Sequence, residues 1–191
     1  MRLFVALDID AAFRKRLAEF CDQMRPLAPE VRWVGPETFH ITLQFLGETK
    51  KVDEIRQALR SVEGSPIGLA FCGTGFFPAP NKPRVFMVGI EGDGHLQPLV
   101  TAIGAALEPL GFARDEMEFK PHLTLARAGG GRPWGRPDAR AAPGLQAVRV
   151  KLEKLAPPEF GTMTAREFCL YESKTSLAGA QYTKLERYPL G

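Results

Sequence analysis

Phe39-His40-Ile41-Thr42-Leu43-Gln44-Phe45-Leu46 and, 82 positions further on, Pro121-His122-Leu123-Thr124-Leu125-Ala126-Arg127 share one four-residue word, His-x-Thr-Leu. Two of the three histidines in the chain open it. With 10 Thr and 21 Leu among 191 residues, a given histidine is followed by Thr at +2 and Leu at +3 by chance roughly one time in 200, so a matched pair is a signal rather than background. The period of each copy is that of a half-buried strand. Phe39, Ile41, Leu43 and Phe45 alternate with His40, Thr42 and Gln44, and Phe119, Pro121, Leu123 and Leu125 alternate with Lys120, His122, Thr124 and Ala126. Each strand therefore offers an imidazole and a hydroxyl on one face.

Two such strands placed about a local two-fold axis bring two imidazoles face to face with two hydroxyls beside them. That set suits acid-base catalysis on a phosphate ester: a neutral imidazole takes a proton from the incoming oxygen while a protonated one gives a proton to the departing oxygen. Thr42 and Thr124 would donate to the non-bridging phosphate oxygens. The scheme needs no metal and no cofactor. A single copy would read as ordinary strand structure, its histidine capped by a backbone carbonyl; two matched copies reverse that reading.

These motifs resemble those of the 2H phosphoesterases, which are named for two H-x-T/S-x motifs, and within them the RNA 2′,3′-cyclic phosphodiesterases, also called 2′-5′ RNA ligases. The likeness extends through Arg2-Leu3-Phe4-Val5-Ala6-Leu7, Phe39 to Glu48, Gly75-Phe76-Phe77-Pro78, Pro83-Arg84-Val85, Lys120 to Arg127 and Leu170-Tyr171-Glu172-Ser173, with Gly179 and Tyr182 near the end. It implies two topologically similar lobes, each with an antiparallel sheet, meeting at a groove where the motifs face each other. It implies an RNA substrate ending in a 2′,3′-cyclic phosphate, opened by water to leave a 2′-phosphate. His122 is then the general base and His40 the general acid, with ATP-independent 2′-5′ ligation as a side or reverse reaction. Related activities on a small nucleotide cyclic phosphate or a 2′-5′ oligonucleotide stay open, as does an RNA-binding module with a spent site.

Length and composition fit a single sizeable domain or two small lobes, with 45% hydrophobic content to fill a core; the resemblance implies one domain, residues 1–191, made of two lobes. The net charge of +3 permits an anionic partner without demanding one. Cys21, Cys72 and Cys169 are widely spaced and lack a C-x-x-C pair, so they suggest neither a disulfide framework nor a zinc site. The first ten residues lack the features of a secretory signal, and no apolar run has the length of a membrane span. A cytoplasmic monomer without an obligate protein partner is the expectation.

The periodicity predicts strands at Leu3–Leu7, Val31–Val34, Phe39–Leu46, Ile67–Phe76, Arg84–Ile90, Glu118–Leu125, Val148–Leu155, Glu167–Glu172 and Gln181–Arg187. It predicts helices after Asp10, from Lys51 to Val62, and from Leu96 to Gly111. This is an α+β fold of mixed, largely antiparallel strands, with outer helices and a strand-lined cleft.

The segment Ala128–Gly144 reads as a loop, with Gly129-Gly130-Gly131, three prolines, Arg132, Arg136, Arg140 and Trp134. Arginines with an aromatic suit contacts to single-stranded RNA, and a solvated surface loop is equally consistent. Arg127 ends the second motif strand and can grip two phosphate oxygens, although strict alternation puts it on the face opposite His122 unless the strand twists or ends there. Lys120 lies on the motif face, where it meets a phosphate or simply solvent. Phe45, Phe76 and Phe77 either stack a base or pack in the core, the latter for at least two of the three. His95 reads as a surface or capping residue. Arg84 and Tyr182 have no motif to place them.

Overall fold

Leu3-Phe4-Val5-Ala6-Leu7 is apolar at every position because both faces of its strand are covered. In the computed structural model, which describes residues 1–112, 119–128, 142–176 and 179–191, the elements run in chain order as β1 (Arg2–Asp8), α1 (Ala11–Met24), β2 (Arg32–Trp33), β3 (His40–Glu48), α2 (Val52–Arg60), β4 (Ile67–Ala79), β5 (Lys82–Gly92), α3 (Leu96–Leu107), β6 (His122–Arg127), α4 (Pro143–Leu152), β7 (Glu159–Ala165), β8 (Glu167–Ser176) and β9 (Gly179–Pro189). Two antiparallel sheets result, one in the order β3-β1-β8-β9 and one in the order β2-β6-β5-β4-β7. The expected α+β class, with antiparallel sheets and helices outside, is what the chain forms.

Leu3, Val5 and Leu7 of β1 enter the main core with Ile41 and Leu43 of β3, Leu123 and Leu125 of β6, and Phe13, Leu17, Cys21 and Met24 of α1. Each such buried side chain contributes about 1.5–3 kcal/mol. Residues of both sheets share this one core, so the two motif strands are braced from behind by common packing. Phe4 and Ala6 point the other way and form a small separate cluster with Cys169, Tyr171 and Tyr182.

Asp10 caps α1, accepting from the Phe13 amide at 2.7 Å. At the far end of α3, a short 3-10 turn leads to Gly111 at φ 88°, a left-handed position suited to glycine.

One expected strand is a helix. Val148-Arg149-Val150-Lys151-Leu152 alternates like a strand, yet it lies in α4. The helix buries Leu145 and Val148, three apart, and leaves Val150 41% exposed. Pro143 starts its first turn. Gly144 follows because an added Cβ would lie 2.5 Å from Ala28 Cα, and its amide donates to Glu30 at 2.6 Å. Proline and glycine, read as signs of irregular chain, here mark a helix start docked against another segment. The strand β7 has no counterpart among the sequence-based expectations, since Gly161-Thr162 interrupts its apolar pattern. The second motif strand starts at His122 rather than Glu118.

Candidate active site

β3 and β6 belong to different sheets but approach within 8 Å at Cα, which brings the two His-x-Thr words together. The charges of His122 and Arg127 are both felt at the His40 ring. His40 Nδ1 lies 2.7 Å from the Thr38 carbonyl, and His122 Nδ1 lies 2.8 Å from the Lys120 carbonyl. A carbonyl only accepts, so each Nδ1 carries the hydrogen and donates it to the backbone two residues upstream. That leaves each Nε2 as the atom that gains or loses a proton. The carbonyl cap that would make one histidine ordinary thus orients both rings identically.

Strict alternation fails in both motif strands, and in the same way. On β6, Met87 faces Thr124 and the adjacent Phe86 faces Ala126, so Leu125 is an extra residue. This bulge reverses the parity of the residues after it. Arg127 therefore shares the face of His122 and Thr124, and its Nη2 donates to the Thr124 hydroxyl at 3.3 Å. On β3, Val5 faces Gln44 and Ala6 faces Thr42, so Leu43 is the extra residue and Phe45 joins the face of His40 and Thr42. Phe45 is 65% exposed, contrary to its place in the apolar alternation. Each sheet thus presents a triplet, His40-Thr42-Phe45 on one and His122-Thr124-Arg127 on the other, alike in register and different in the third side chain.

His40 rests on aromatic rings: Phe4 at 4.9 Å and Tyr182, edge-on, at 5.0 Å. Burial holds its pKa below the ordinary value; the bond to Thr38 and the charge of Asp8 oppose that effect, and Arg127 and His122 reinforce it. Burial likewise lowers the pKa of Arg127, with Tyr182 acting in the opposite sense. Tyr182 therefore does reach the cleft, between His40 of one sheet and Arg127 of the other. Its pattern in β9 carries no sign of this, since the strands that bear His40 and Arg127 are distant in sequence.

Other expected residues separate clearly. Phe76 stacks on buried Phe86 at 5.0 Å and packs against the core. Lys120 is exposed just before β6, and its carbonyl holds His122. His95 is exposed at the start of α3, where Asp93 accepts from its amide at 3.0 Å. Arg132, Trp134, Arg136 and Arg140 lie outside the described residues. Cys21 and Cys169 are buried and Cys72 is half-buried, all as free thiols. Among the described residues, Asp8, Glu167 and Cys169 are grouped closely enough to hold a metal ion. A cation is already there, since the Lys184 ammonium pairs with Asp8 and lies 4.0 Å from Glu167.

The family profile of the LigT-like phosphoesterases matches residues 7–87. The chain is 34% identical to the RNA 2′,3′-cyclic phosphodiesterase of Archaeoglobus fulgidus over 187 residues, 97% of this chain and 98% of that one. It is 32% identical to the enzyme of the same name from Thermus thermophilus, covering 100% of this chain and 90% of that one. The crystal structure of TT0787 of Thermus thermophilus superposes with a TM-score of 0.78 at 28% identity, over 99% of this chain and 97% of that one. Escherichia coli LigT complexed with 3′-AMP shares the fold, with a TM-score of 0.75 at 23% identity over 99% and 97% of the two chains.

Proposed function

Since the chain belongs to the LigT-like family of RNA 2′,3′-cyclic phosphodiesterases, we propose that it hydrolyses RNA ends carrying a 2′,3′-cyclic phosphate to a 2′-phosphate, through His40 and His122 acting as an acid-base pair. Residues 1–191 work as one domain of two lobes, as a monomer in the cytoplasm. Among the described residues no helix is long and apolar enough to cross a membrane.

His122 Nε2 takes a proton from water as its oxygen attacks phosphorus in line with the 3′-oxygen. The bond from phosphorus to that oxygen breaks, and His40 Nε2 delivers the proton that makes it a hydroxyl. The two histidines then exchange protons with solvent and return to their starting states. Thr42 and Thr124 donate to the non-bridging oxygens, and Arg127 offsets the negative charge held there. A 5′-hydroxyl in place of water would give a 2′-5′ linkage without ATP. Phe45, beside the acid and exposed, offers a surface on which the terminal base stacks. Lys120, Arg132 and Trp134 are assigned to the RNA strand.

The observation that carries this reading is the matched tether of both imidazoles, each bound through Nδ1 to a carbonyl two residues back, on strands that bring them together. The test is incubation of EDTA-treated protein with a short RNA ending in 2′,3′-cyclic phosphate, with phosphorus NMR of the product. Wild type should yield a 2′-phosphate. His40→Ala and His122→Ala should each slow turnover by roughly 10²–10⁴-fold. A 3′-phosphate product, or turnover that survives either substitution, overturns the assignment.

A further inference from the structure

Asp8 ends β1 as the register partner of His40, so the two side chains share a face. Both of its carboxylate oxygens are held: the Tyr171 hydroxyl donates to one and the Lys184 ammonium to the other. The donors come from β8 and β9, far from either motif. Tyr171 also stacks on Phe4, with centroids 5.2 Å apart and planes at 12°, and Phe4 is the ring against which His40 lies. Carboxylate, phenol, phenyl and imidazole therefore form one packed unit. Beyond Lys184, Glu167 pairs with Arg187 at 3.1 Å, so charges alternate in sign away from the site.

The groups facing His40 differ in what they do to a proton on its ring. From β6 come His122 and Arg127, and from β9 Tyr182, with Arg2 of β1 close enough to act on that tyrosine. Burial and the two cationic positions all oppose an imidazolium. The Thr38 carbonyl favours it most, through its hydrogen bond to the ring; Asp8 is the carboxylate that favours it, and Lys184 partly cancels Asp8. An imidazole that must donate a proton needs that counter-charge.

We propose that Asp8 is a positioning residue for the proton-donating step: fixed by Tyr171 and Lys184, it supplies a counter-charge that favours the protonated form of the His40 ring against its burial, and Lys184 limits its strength. The assignment rests on His40 as the general acid. Asp8 is not in hydrogen-bond contact with His40, which spends Nδ1 on Thr38; it acts through its field and leaves Nε2 free for the substrate.

The test is an NMR titration of the His40 ring in histidine-labelled wild type, Asp8→Asn and Lys184→Met, beside the pH dependence of kcat on RNA ending in 2′,3′-cyclic phosphate. Asp8→Asn should lower the His40 midpoint by about half to one pH unit, as expected of a partly cancelled charge a few ångströms away at an effective dielectric of roughly 20–40. Lys184→Met should raise it by a similar amount. The alkaline limb of kcat should move with the midpoint in each variant. A merely structural role would lower activity without opposite shifts. An unmoved midpoint in folded Asp8→Asn, or shifts of the same sign in both variants, overturns the proposal. If Asp8→Asn does not fold, Lys184→Met decides alone, and an unmoved or lowered midpoint refutes it. Opposite shifts of the midpoint with no matching limb in kcat would leave the counter-charge standing and remove His40 from the acid role.

Discussion

Replacing Arg127 by Met should weaken catalysis without weakening the fold, and the two effects can be sized separately. Arg127 is a partly buried guanidinium whose hydrogen bond among the described residues is to the neutral Thr124 hydroxyl at 3.3 Å, and no carboxylate of those residues pairs with it. Losing that bond costs about 1–1.5 kcal/mol of stability. Removing a buried charge that has no counter-ion among those residues returns a comparable or larger amount, because desolvation opposes the folded state. The expected net change is about 0 to +2 kcal/mol, which at this size raises Tm by up to roughly 4–8 °C. Catalysis should move the other way. A charge-assisted bond to phosphate is worth about 1.5–3 kcal/mol, and Arg127 can make two, so kcat/KM should fall by roughly 10²–10⁴-fold. Arg127→Lys, which keeps the charge and loses the fork, should recover only part of this. Calorimetry and steady-state kinetics on one preparation measure both quantities. A fall in Tm that parallels the loss of activity would mean that Arg127 is a structural residue, and the phosphate role would be lost.

Because burial holds the folded His40 pKa below its ordinary 6.5, the unfolded chain binds this proton more tightly, and His40 costs stability as pH falls through about 6.5 and below. His40→Gln should remove that contribution, so the stability of wild type relative to the variant should decline between about pH 6.5 and 5 in urea titrations; a flat difference refutes it. Phe45→Ala should leave stability within about 0.5 kcal/mol, since the ring is 65% exposed. The same change should raise KM for the RNA by roughly 5–100-fold with kcat kept, as the loss of one base stack requires; an unchanged KM removes Phe45 from the substrate site. Gly89 is the register partner of His122, and a Cβ there would sit 2.9 Å from the Cys72 carbonyl oxygen. Gly89→Ala should therefore push β4 and β5 apart, at about 1–3 kcal/mol in chemical denaturation, and lower kcat by displacing His122; full activity at wild-type stability contradicts this.

The amino-acid sequence by itself determined the chemistry on offer. A duplicated His-x-Thr word in alternating strands is a local pattern, and period-2 geometry places each imidazole beside its hydroxyl without reference to the rest of the chain. The apolar run of β1, the helix capped by Asp10 and most strands were legible for the same reason. Local pattern misled where a contact distant in sequence set the outcome. Val148 to Leu152 alternates like a strand but is held helical by Leu145 and Val148 in the core and by Gly144 against Ala28. Arg127 and Phe45 changed faces through bulges, which exist only relative to a partner strand. Phe4 and Tyr182 lie against His40, and Tyr171 and Lys184 hold its register partner Asp8, from strands that sequence order does not mark as neighbours. Tertiary structure alone decided the meeting of β3 and β6, the face of each third residue and the charge environment of His40. Each depends on cross-strand register and sheet order, which are fixed by packing between segments up to the full length of the chain apart.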